Sequence, residues 1–87
     1  MSNYGISYGI VIVDKVRWMR FLVIQGTLKV GDIVYTNSFS ITVLEINKAN
    51  RNYTSIQQGF SAGVRYEVNS GVESRLNEGE SMQIKRG

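Results

Sequence analysis

The 87 residues fill one domain and leave no room for a second. With neither cysteine nor histidine, the chain has no disulfide framework, no thiolate or imidazole metal site, no Ser-His or Cys-His nucleophile pair and no imidazole base working near neutrality. A net charge of +3 at pH 7 is mildly basic and falls short of the Lys/Arg runs of a dedicated nucleic-acid arm, and no stretch approaches the ~18 apolar residues of a membrane-spanning helix.

Along the chain, short apolar runs alternate with Gly, Asn and Ser, no proline interrupts them, and nowhere do apolar residues keep the three-to-four spacing of a helix. That pattern predicts an all-β fold, a small closed antiparallel barrel of Greek-key type with six to seven strands. Residues 1–7 form a polar arm without the charged start and apolar core of a signal peptide, so the expected location is the cytoplasm, free or within a particle assembled there. The barrel is expected over residues 8–87. Its first strand runs from Tyr8 to Val13, apolar on both faces, and closes at Asp14-Lys15. The second runs from Trp18 to Gln25; Arg20 interrupts the face carrying Trp18, Leu22 and Ile24, so Met19, Phe21 and Val23 are the interior candidates.

Gly26 to Asp32 reads as a compact reversal whose two glycines supply positive φ angles, with Leu28 and Val30 plugging an open barrel end. Ile33–Thr36 is a third strand, Asn37-Ser38 a hairpin turn, and Phe39–Asn47 the longest strand. Its apolar positions change parity between Ile41/Val43 and Leu44/Ile46, the signature of a bulge. A polar connection over residues 48–52, a strand at Tyr53–Ile56, a loop at 57–63 and an alternating strand at Val64–Val68 follow. Residues 72–76 form one helical turn at most, and Ser81–Lys85 is the closing strand. Leu28-Lys29-Val30-Gly31-Asp32 and Leu76-Asn77-Glu78-Gly79-Glu80 echo each other as Leu-x-x-Gly-acid before a strand. In both, glycine reverses the chain and the acid accepts nearby backbone N–H groups.

The segment Gly26-Thr27-Leu28-Lys29-Val30-Gly31-Asp32-Ile33-Val34, preceded by Gly9–Val13 and Phe21–Gln25 and followed by the glycine loop Gln58–Val64 and the Gly-acid turn at Leu76–Met82, resembles the β-barrel domain II of translation GTPases, the family of elongation factor Tu and initiation factor 2. The likeness spans residues 8–86. It implies a barrel that docks on ribosomal RNA or the aminoacyl end of tRNA. Two departures stand beside it: the loop at Asp14–Arg17 is short and glycine-free, and the 87 residues contain no Gly-x-x-x-x-Gly-Lys-Ser/Thr phosphate loop. No nucleotide or other cofactor is expected.

The densest basic-aromatic cluster is Lys15, Arg17, Trp18 and Arg20. On a strand, Trp18 and Arg20 share a face, which suits a stacked base with neutralised phosphates, a protein contact, or an indole capping a barrel end while the arginines reach into water. Lys48, Arg51 and Tyr53 make a second polar group on a loop. Glu78 and Glu80 read as turn residues rather than an acid-base or metal pair. The sequence therefore predicts a non-catalytic binding module without metal, cofactor or membrane. Its partner is a protein assembly, RNA or the ribosome, or further copies of itself. The alternative is a structural component, such as a decoration, capsid or tail protein of a phage-like particle.

Overall fold

In the computed structural model, which describes residues 6–71 and 78–87, the described chain contains strands β1 (Ser7–Lys15), β2 (Trp18–Gln25), β3 (Thr27–Lys29), β4 (Ile33–Thr36), β5 (Phe39–Lys48), β6 (Arg51–Tyr53), β7 (Ser55–Gln57), β8 (Ser61–Ser70) and β9 (Ser81–Lys85). Neighbours follow the order β4-β9-β1-β2-β8-β5, and β4 pairs back onto β5 to close the ring. Every pairing is antiparallel. Within that ring β9, β4, β5 and β8 lie side by side, the 4-1-2-3 order of a Greek key. The expected closed barrel is thus present with six strands, and β6 extends the sheet past β5. The small β3–β7 ladder stands apart from it.

Alternation decides what fills the interior. Met19, Phe21 and Val23 point in from β2, as their spacing predicts. They meet Val11 from β1, Val34 from β4, Ile41, Val43 and Ile46 from β5, Ala62 and Val64 from β8, and Met82 and Ile84 from β9. Each of the larger side chains among them contributes about 1.5–3 kcal/mol by leaving water. Leu28 is fully buried and plugs the barrel as expected, whereas Val30 is 44% exposed and does not. The ladder β3–β7 holds Leu28 in register with Ile56, while Val30 falls in the turn that follows.

Two of the four register shifts in the β1–β2 and β5–β8 ladders decide which side chains face inward. On β5 the register against β8 slips between Val43 and Glu45, so Leu44 is the extra residue and Ile46 returns to the core. This is the parity change visible in the sequence. On β1 the register slips between Val11 and Val13. The extra residue, Ile12, turns both Ile12 and Val13 outward and Asp14 inward.

The turn at Gly31-Asp32 follows the expected chemistry. Gly31 takes a φ of 95°, and Asp32 accepts the Lys29 N–H on Oδ2 at 2.9 Å. Gly31 N–H donates to the Val43 carbonyl and Val43 N–H to the Asp32 carbonyl, while Gly79 N–H donates to Val11 and Val11 N–H to Glu80. The two Gly-acid pairs therefore hook a following strand to a neighbouring valine in the same way; Leu76 and Asn77 of the echo, and the turn expected at 72–76, lie outside the described residues. One strand expected at Tyr53–Ile56 is instead two, β6 and β7, parted at Thr54. Thr54 directs its carbonyl to Val30 N–H rather than to the barrel. The polar connection shrinks to Ala49-Asn50, both with positive φ, 54° and 63°, the requirement of a type I′ hairpin.

Candidate functional site

The β1–β2 hairpin is built to hold its tip still. Past the Ile12 bulge, Lys15 faces Trp18 across a two-residue turn, Val16-Arg17. Arg17 adopts a left-handed φ of 66°, a conformation that disfavours any residue with a Cβ. Beneath the tip lies Asp14, 7% exposed. It accepts a 2.7 Å hydrogen bond from the Tyr66 hydroxyl, while the Tyr66 N–H donates to the Arg17 carbonyl at 2.9 Å. A side-chain and a main-chain bond thus both tie the hairpin to β8.

On the outer face, the registers line up side chains in rows that cross four strands. One row runs Lys15, Trp18, Arg65, Glu45; the next runs Val13, Arg20, Gly63, Asn47. Asn52 of β6 continues the second row, accepting a 3.0 Å bond from Asn47 Nδ2. Arg65 Nε donates to Glu45 Oε1 at 3.2 Å in a half-buried setting. Among the described residues Lys15, Arg17 and Arg20 have no carboxylate within ion-pair distance. Trp18 is 37% exposed and lies on the wall, not over a barrel end. Its ring leans toward β8, with Cζ3 and Cε3 3.7 and 3.8 Å from where a Gly63 Cβ would stand. Because residue 63 is glycine, the ring can rest against bare backbone.

Lys48, Arg51 and Tyr53 do not join this surface. Lys48 pairs with Arg51, and Tyr53 with Ile46; all three share the parity of Ile46, whose side chain is in the core. They therefore belong to the other side of the sheet from Trp18 and Arg20. Lys48 instead places Nζ 5.1 Å from the centre of the exposed Phe60 ring, a cation–π contact. The group is displaced because Asn47 and Asn52, not Lys48 and Arg51, have the outward parity.

Three participants escape a reading of the sequence alone. Arg65 and Gly63 enter the patch only through the β2–β8 register, though the alternation of Val64 and Tyr66 already sends Arg65 outward. Asp14 reads as a turn residue until the Ile12 bulge is known. No protein-family model and no curated protein matches the chain. Among the described residues no three His, Cys, Asp or Glu side chains gather as metal ligands, and no helix is long and apolar enough to cross a membrane. Function is therefore read from the surface and not from the fold, since barrels of this kind host many roles.

Proposed function

We propose that this chain is a non-catalytic β-barrel module that docks onto a larger macromolecular assembly through the outer wall of β1 and β2. The observation that carries this reading is the composition of the hairpin surface. Ile12, Val13, Val16 and Trp18 are 39%, 37%, 69% and 37% exposed, interleaved with Lys15, Arg17 and Arg20. Apolar side chains held in water by a rigid frame, rimmed by cations, favour a partner that covers them. The resemblance to domain II of translation GTPases supports the same role, and RNA or a ribonucleoprotein is the partner it suggests. The module would act in the cytoplasm.

A second reading, a structural component of an assembled particle, is favoured by β6. This three-residue strand ends the sheet with all its residues exposed, an edge to which a strand from another copy can add. Sedimentation of the full chain in native lysate, with and without ribonuclease, tests both. Docking predicts co-migration with large particles that is lost in a Trp18→Ala, Arg20→Ala double variant. The particle reading predicts co-migration, or oligomers by light scattering, that survives this variant and fails when Asn52→Pro blocks the edge. A chain that runs as a free monomer under every condition contradicts both.

A further inference from the structure

Resting on that docking surface, we propose that its ligand is single-stranded nucleic acid: an unpaired base stacks on the exposed face of Trp18, whose ring is seated on Gly63, and Lys15 and Arg20 hold the phosphates on either side. Three features of the wall converge on this chemistry. First, the indole ring rests over Gly63, at van der Waals distance from where a Cβ would stand, so it can lie against the sheet while the residue stays 37% exposed. Stacking on an exposed aromatic face is how proteins hold unpaired bases with little regard to sequence. Second, the cations sit in the adjoining register positions. Lys15 faces Trp18 across β1–β2, and Arg20 faces Gly63 across β2–β8. Among the described residues neither is ion-paired, and both carry the charge an anionic backbone requires. Third, the row of Arg20 and Gly63 ends in amides, Asn47 and Asn52, which offer donors and acceptors to a base edge. Acidic side chains would match the cations but carry no ring to stack on the exposed indole.

A duplex cannot use the site, because its bases are already stacked on one another and paired. The surface therefore discriminates by strandedness. RNA and DNA single strands share the base and phosphate chemistry, so both are arms of the test.

Trp18 is the chain's one tryptophan, which makes its fluorescence a report on this position alone. The full chain is titrated with a 12-nucleotide oligouridylate, a 12-nucleotide oligothymidylate and a 12-base-pair duplex at low salt. Saturable quenching by one or both single strands and not by the duplex is expected. The logarithm of affinity should fall against the logarithm of salt with a slope of about −1.4, from two phosphates at about −0.7 each. With fluorescein-labelled oligonucleotide, Trp18→Ala should weaken binding roughly 5- to 150-fold, the equivalent of the ~1–3 kcal/mol of one stacked base, and Trp18→Phe should retain part of it. Gly63→Val pushes the indole off its seat without removing a charge and should weaken binding as Trp18→Ala does, while circular dichroism stays that of the parent. Absence of quenching at low salt overturns the proposal, as does binding that is indifferent to Trp18→Ala and Gly63→Val. If oligonucleotides fail but Trp18-dependent co-migration survives ribonuclease, the ligand is a protein and only this inference falls. If co-migration fails too, the docking role falls with it.

Discussion

Replacing Gly9 with alanine forces a methyl group into the seam between β1 and β2. A Cβ at this position would overlap the Leu22 carbonyl oxygen and Cε2 of the Phe21 ring, and would stand 2.5 Å from Phe21 Cζ. Neither neighbour can yield cheaply. Phe21 is fully buried among core side chains, and Leu22 is in register with Ile10 in the β1–β2 ladder. Relieving the overlap means opening the ladder by about 1 Å or driving Phe21 from its rotamer. Overpacking of this kind costs about 1–3 kcal/mol, and a weakened ladder bond adds about 0.5–1.5 kcal/mol. The expected loss is about 2–4 kcal/mol, out of a total on the order of 4–13 kcal/mol for a chain of this length. In a domain this small that corresponds to a fall in Tm of about 8–30 °C. Urea and thermal unfolding followed by far-ultraviolet circular dichroism measure it. A Phe21→Leu change in the Gly9→Ala background removes the ring atoms and should recover about 1 kcal/mol as coupling in a double-mutant cycle. If Gly9→Ala stays within about 0.5 kcal/mol of the parent and shows no coupling to position 21, the close approach of β1 and β2 described above is wrong.

Two further perturbations probe the hairpin. Tyr66→Phe removes the hydroxyl that donates to buried Asp14 and should cost about 1–3 kcal/mol in urea unfolding, the penalty for a buried acceptor that loses a bond; an unchanged midpoint would refute the latch. Arg17→Gly relieves the left-handed backbone at φ 66° and keeps the carbonyl that Tyr66 N–H uses. Its gain, after the entropy that glycine adds to the unfolded chain, is up to about 1 kcal/mol, whereas a loss of similar size by the same assay would mean that the Arg17 side chain itself supports the fold.

Much of the barrel is legible in the sequence because burial imposes a strict period of two. Arg20 alone assigns Met19, Phe21 and Val23 to the interior, and the parity change before Leu44 marks the β5 bulge. Gly31 and Asp32 declare their turn because few other residues serve a positive φ followed by a side-chain acceptor. The β1 bulge left no such trace. Val11, Ile12 and Val13 are equally apolar, so nothing marks which is the extra residue, and Asp14 then reads as a turn residue when it is buried. Tyr53 and Ile56 look continuous because the break at Thr54 comes from a tertiary hydrogen bond to Val30. The candidate surface was half legible: Lys15, Trp18 and Arg20 lie together in sequence, but Gly63 and Arg65 meet them only through strand pairing. Lys48, Arg51 and Tyr53 lie on the other side of the sheet from Trp18, by a parity that the type I′ turn at Ala49-Asn50 sets.

The docking face is tested most directly by hydroxyl-radical footprinting of the full chain, alone and in the particle-bound fraction, read by mass spectrometry. β2 and β4 are three strands apart around the six-stranded ring, so Trp18 on one wall and Tyr35 on the opposite wall serve as internal references for each other. Oxidation of Trp18 should fall several-fold on docking while that of Tyr35 stays constant. Protection of Tyr35 with Trp18 unchanged would place the partner on the other side of the barrel and contradict the account.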